Sequence, residues 1–298
     1  MPRIPLMAAL AFALIASAVA GTVQAQVSAP AAAFRSERIV VETRGRGPDV
    51  ILIPGLASTG VVWSRLADRL DDDHTVHLVS VRGFGTLAPG ANAAGPLVGP
   101  VAGEVLRYAR HRGLRGPAVI GHSMGGLVAL RVGADGGRGI GRVMVVDASP
   151  FFPALLNGAA GARDVEPIAR LAYQAVLFIG DEALTGGAWG RDLGQASDAL
   201  IGGVGWQGGD RRVLAQGLYE VMTLDLRRRL PDIAAPVTVA YGWSRAEGSP
   251  RRDLGRLLRP AYAGLRTPVR LEPIEGAEHM VMIDQPTRFE AAVRRFLR

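Results

Sequence analysis

Short apolar runs alternate along the chain with stretches in which apolar residues recur every three or four positions. Arg38 to Glu42 reads as a strand, and Val50 to Ile53 as a buried strand ending at Pro54-Gly55. Val62, Leu66 and Leu70 recur at helical spacing, and Val76 to Val81 is the next strand. A helix is expected over Val101 to Arg110, a short buried strand over Ala118 to Ile120, a helix from Gly126 to Val132, and a buried strand over Val143 to Val146. Several of these strands are apolar at every position, the pattern of strands covered on both faces. Strands of that kind alternating with helices predict an α/β fold: a mostly parallel twisted sheet with helices on both faces.

The pattern changes between Phe151 and about Leu230. No continuous β-branched run occurs there; helical stretches, Ile168 to Phe178 and Val213 to Leu224, stand between Gly-rich loops. Strand-helix alternation then resumes with Val237 to Tyr241, Val269 to Ile274 and a last helix from Thr287 to Leu297. A helical insert between strands of one sheet reads as a lid, about 151–230, within a single domain spanning 34–298. The length of 298 residues suffices for one large α/β domain. No internal repeats are evident.

The N-terminus changes the picture of where the protein works. Arg3 supplies a positive start, Leu6 to Val19 form an apolar run, and Ala18-Val19-Ala20 and Val23-Gln24-Ala25 offer small-residue cleavage sites. Residues 1–25 are expected to be a signal peptide, and the run is short for a bilayer span. The mature protein is expected to be periplasmic or secreted, with no stable membrane insertion after the signal is removed.

Charge adds little to function. The net charge is +7 and the 34 basic side chains are all Arg. They are scattered, with short clusters such as Arg227-Arg228-Arg229 and Arg251-Arg252, which read as solvated helix faces. A nucleic-acid partner is not expected, because such binders gather their basic residues on one stripe. Cysteine is absent, which excludes disulfides, thiolate nucleophiles and Cys-ligated metals. No metal-ligand spacing of His and carboxylates appears, and no cofactor is expected. Gly203 to Gly208 matches the dinucleotide fingerprint, but it follows no strand and opens no βαβ unit, so it reads as a loop.

The chemistry centres on Gly121-His122-Ser123-Met124-Gly125-Gly126. GxSxG is weak alone; here it follows a strand directly and runs into a helix, the context of a nucleophile elbow. The sharp turn gives Gly121 and Gly125 a steric reason to be Gly. Serine needs a base to take its proton. Among the five histidines, His279 lies in the loop between the last strand and the last helix; His74, His77, His111 and His122 read as packing or surface residues. An oxyanion needs two backbone N–H donors, expected at Met124 and at Leu56, which follows the first buried strand.

Pro54-Gly55-Leu56, Arg82-Gly83-Phe84-Gly85, Gly121 to Gly126 and Glu275 to His279 together resemble the successive motifs of the α/β-hydrolase superfamily. The resemblance spans nearly all of the mature chain and implies Ser123 as nucleophile and His279 as general base. Two departures stand out. Pro54-Gly55 replaces the usual His-Gly of the oxyanion loop. Many relatives carry the triad acid just after the penultimate strand, where this chain reads Tyr241 to Glu247 without an Asp. Glu247, the carboxylate of that loop, is the first candidate for the acid, Asp147 is the alternative, and the absence of any acid is the third reading.

The function expected from these residues is hydrolysis of carboxylic esters, or of amides, through an acyl-enzyme on a small-molecule substrate. An acyltransferase or C–C hydrolase would use the same residues, and a catalytically silent binding protein is the rival from another class. Phe151 and Phe152 are expected to bind substrate at the mouth of the site. Ile168, Leu171, Ala175 and Phe178 would either face the pocket or pack the lid onto the core.

Overall fold

The computed structural model describes residues 33–155, 158–178, 207–249 and 251–298. The expected signal peptide, 1–25, and Gly203 to Trp206 of the fingerprint-like loop lie outside the described residues. No helix among those described is long and apolar enough to cross a membrane.

Among the described residues seven strands form one sheet. They are β1 (Ile39–Gly45), β2 (Asp49–Ile53), β3 (Thr75–Val81), β4 (Ala118–His122), β5 (Arg142–Val146), β6 (Val237–Trp243) and β7 (Arg270–Glu275), in the order β1-β3-β2-β4-β5-β6-β7. Only β1 pairs antiparallel, with β3; the other pairs are parallel. Burial explains the hydrophobic pattern. The inner strands β2, β4 and β5 are buried at nearly every position, whereas β1 and β7 at the edges alternate between buried and exposed residues.

The helices are α1 (Ser64–Leu70), α2 (Val98–His111), α3 (Met124–Gly136), α4 (Ala162–Phe178), α5 (Arg211–Thr223), α6 (Leu254–Ala261), α7 (Val281–Asp284) and α8 (Pro286–Leu297). α3 is buried along most of its length because it runs behind the sheet between β4 and β5. One layer of core joins β2, β4 and β6 to α1 and α8, with Trp63 stacked 6.1 Å from Phe289. Stacked aromatic rings at that separation add to the area they bury.

α4 and α5 lie in the connection between β5 and β6, where the change of pattern predicts a helical insert. They touch through the rings of Tyr173 and Tyr219, 6.1 Å apart and edge to face. α5 is fastened to the body by a buried carboxylate. Glu220 accepts the N–H groups of Leu97 and Val98 at 2.5 and 2.9 Å. Those donors open α2 and have no partner inside their own helix, so the carboxylate also meets the positive end of the helix dipole.

Candidate active site

The end of β4 sets the geometry. Ser123 stands between the strand and α3 with φ 53° and ψ −120°, a conformation that costs an L-residue about 1–3 kcal/mol. Its neighbours must be small. A Cβ on Gly121 would lie 2.0 Å from the Gly125 carbonyl oxygen, and one on Gly125 would lie 2.4 Å from that of Pro54. The turn therefore closes against the loop after β2. The backbone N–H of Ser123 donates to Val146 on β5 at 2.9 Å. The register pairs His122 with Val146, so the residue after each strand, Ser123 and Asp147, stands beside the other at the carboxyl end of the sheet.

Asp147 is itself strained, with φ 47°, and its N–H donates to Ala240 on β6 at 2.8 Å. Among the described residues only Ala57, Ser123 and Asp147 combine a side chain with positive φ, and all three lie just beyond the carboxyl ends of β2, β4 and β5. Backbone strain gathered in this way points to a functional site.

His279 reaches Asp147 from the loop after β7, where its Nδ1 donates to Oδ2 at 2.7 Å. That bond assigns the tautomer and leaves Nε2 as the basic nitrogen. Asp147 also accepts the Gly242 N–H at 3.0 Å and the guanidinium of Arg251 at 2.9 Å. Burial pushes its carboxyl upward, but the His279 hydrogen bond and the charges of His279 and Arg251 outweigh burial and hold it below the usual aspartate value. Asp147 is an anion buried among donors.

His122 supports the same loop. Its Nε2–H donates to the His279 carbonyl at 2.9 Å, and the two rings lie 4.6 Å apart. Burial, and then the neighbouring His279, depress its pKa to about 3, so it stays neutral at ordinary pH. The expectation that His122 is a packing residue agrees with that placement.

The two expected oxyanion donors, Met124 and Leu56, belong to the two segments that meet at Gly125. Met124 is the first residue of α3, whose opening N–H groups lack helical acceptors. Leu56 sits in the turn after β2 that Gly125 touches. Among the described residues, neither N–H donates to a protein acceptor.

Two expectations need correction. Glu247 stands exposed in a surface turn and is not hydrogen-bonded to His279; the pairing belongs to Asp147, because β5 ends beside Ser123 while the loop after β6 turns outward. Phe151 has no exposed surface. The Arg227 guanidinium lies 4.8 Å above its ring, so it packs beneath the insert and offers no face to a ligand. Phe152 is half-buried in the following turn and keeps an accessible face. Ile168, Leu171 and Phe178 do not pack onto the core: they are 63, 72 and 93% exposed.

Sequence reasoning also missed two residues. Arg251 reads as part of a solvated basic cluster, yet its side chain is 17% exposed and bonded to Asp147. Gln207, in the fingerprint-like loop, binds Ala57 and Thr59 beside Leu56. Among the described residues no three His, Asp or Glu side chains gather as metal ligands would.

Residues 50–292 match the alpha/beta hydrolase family. A pimeloyl-[acyl-carrier protein] methyl ester esterase from Vibrio atlanticus is 27% identical over 242 residues, 75% of this chain and 87% of that protein. Among solved structures, a hydrolase from Pseudomonas aeruginosa shares 21% identity with a TM-score of 0.66, covering 87% of this chain and 94% of its own. An enol-lactonase from Burkholderia xenovorans shares 22% with a TM-score of 0.59, covering 87% and 96%. The chain thus belongs to the alpha/beta hydrolase family, as an esterase-like hydrolase.

Proposed function

We propose that the protein is an exported serine hydrolase that cleaves carboxylic esters through an acyl-enzyme on Ser123. The observation that carries this reading is the 2.7 Å bond from His279 to Asp147, whose strand end lies beside that of the strained Ser123. His279 Nε2 takes the Ser123 proton as Oγ attacks the ester carbonyl. The N–H groups of Leu56 and Met124 hold the negative oxygen of the tetrahedral intermediate. His279 then returns the proton to the departing alcohol, water repeats the sequence on the acyl-enzyme, and the carboxylic acid leaves. Asp147 stays ionised throughout and stabilises the imidazolium.

The methyl ester esterase relative makes a methyl or other small alkyl ester the first substrate to try. Export rests on the charge, apolar run and cleavage pattern of residues 1–25. A catalytically silent binding protein is the less favoured reading, because His279 is hydrogen-bonded to a buried carboxylate although the loop after β6 carries no Asp.

A fluorophosphonate probe is expected to label the wild type at one residue, Ser123, and p-nitrophenyl acetate or butyrate to be turned over. The Ser123→Ala variant should fold, take no label and lose about 10³- to 10⁶-fold in rate. Labelling that persists in that variant would overturn the assignment.

A further inference from the structure

Arg251 is the one cation bonded directly to Asp147 among the described residues, and the proposed mechanism does not use it. Its Nη1 donates to Asp147 Oδ1 at 2.9 Å and to the Gly242 carbonyl at 3.3 Å. Nη2 reaches Asp147 Oδ2 at 3.3 Å, and Nε donates to Glu278 at 2.6 Å. The fork thus meets both oxygens of the carboxylate, and its other edge grips the residue before His279. Asp147 is 7% exposed, so this ion pair is shielded from solvent and salt. A planar guanidinium on a carboxylate fixes its orientation as well as its charge.

We propose that Arg251 is a positioning residue that orients Asp147 toward His279 and extends activity to lower pH. This rests on the reading of His279 as the base. Each charged group facing the pair acts on the same equilibrium. Asp147, after β5, favours the imidazolium; Glu278, in the same loop, and Asp284, on α7, add negative charge. Arg251, ahead of α6, opposes them, while His122 on β4 is neutral and β6 contributes the Gly242 backbone. Without Arg251 the buried carboxylate faces His279 uncompensated. The protonated, inactive base then persists to higher pH.

The test is the rate of fluorophosphonate labelling as a function of pH, which needs no knowledge of the substrate. In Arg251→Gln the acid limb should move up by about one pH unit, and the plateau rate should fall about tenfold. Arg251→Lys keeps the charge but not the fork, so the limb should stay near the wild type while the plateau falls. Glu278→Gln removes negative charge and should shift the limb slightly the opposite way; it also serves if Arg251→Gln fails to fold, as judged by circular dichroism. A folded Arg251→Gln with an unmoved limb, or a Glu278→Gln limb that moves upward, overturns the inference. Wild-type protein that takes no label at Ser123 would instead overturn the proposed function.

Discussion

Asp147 accepts a 2.7 Å hydrogen bond from Nδ1 of His279 although 132 residues separate the two in the chain. Parallel strands explain the meeting. β5 ends at Val146 beside β4, and the loop after β7 folds back over β6, where its Gly242 neighbour also donates to the same carboxylate. Asp147 thus follows the strand next to that of Ser123, one strand closer than the loop after β6 where the acid is first expected.

The first prediction separates the two carboxylates. Asp147→Asn should keep the fold and lower kcat by up to about 10⁴-fold, because an amide in that place favours the wrong imidazole tautomer. Glu247→Gln, in an exposed turn, should leave kcat within about twofold, as surface substitutions generally do. Steady-state kinetics on one p-nitrophenyl ester decides between them, and the reverse ranking would return the role to Glu247.

The contrast between those residues shows where the sequence was legible. Strands such as Val50 to Ile53 and Val143 to Val146 announce themselves because burial on both faces makes every position apolar. The turn around Ser123 is equally plain, since its sterics admit only glycine at Gly121 and Gly125. Asp147 and Arg251 carry no such local mark. Their roles come from register and loop return, which bring β5, the segment before α6 and the loop after β7 together from distant parts of the chain. Phe151 misled for a related reason: its position after a strand suggests a site mouth, whereas tertiary packing places Arg227 on its ring.

A second prediction concerns acid stability. His122 titrates at about 3 when folded, against the ordinary value of 6.5. A histidine with a depressed folded pKa contributes stability that is complete above the unfolded value and is lost as pH falls through the interval down to the folded value. From pH 6.5 toward pH 3 the protein should therefore lose up to about 1.4 kcal/mol per pH unit from this group alone. Urea melts at pH 7 and pH 5 should show that slope in the wild type and a shallower one in His122→Asn. Equal slopes in the two proteins would show that His122 is not the group responsible.

Gly125 supports a third. A methyl group there would stand 2.4 Å from the Pro54 carbonyl oxygen and 2.5 Å from that of Ile53, both rigid backbone. Gly125→Ala must push the turn away from the loop that carries Leu56. Loss of one oxyanion donor elsewhere costs about 10²- to 10³-fold in kcat, so a loss of that order is expected with KM less affected. A thermal melt should fall as well, since the contact cannot relax by side-chain rotation. Normal kcat in a folded Gly125→Ala would place the oxyanion donors elsewhere.

The last prediction concerns how the insert reaches that same loop. The backbone N–H of Gln207 donates to the Ala57 carbonyl at 2.7 Å, and its Oε1 accepts the Thr59 N–H at 3.0 Å and the Thr59 hydroxyl at 2.7 Å. One residue further, Gly208 accepts the N–H of Gly85, so the segment that returns from the insert is pinned on both sides. Ala57 holds a φ of 56°, a strained conformation that needs support from its surroundings. Gln207→Ala keeps the backbone bond but leaves Thr59 without its acceptor, and should lower kcat about tenfold by loosening the position of the Leu56 N–H. Gln207→Glu keeps an acceptor oxygen at the same reach and should restore most of the rate, whereas Gln207→Leu, of similar size but without an acceptor, should behave like the alanine variant. Thr59→Val removes the hydroxyl alone and should couple with Gln207→Ala, the double variant losing less than the product of the single losses. Independent losses in that cycle would show that the insert does not act on catalysis through this contact.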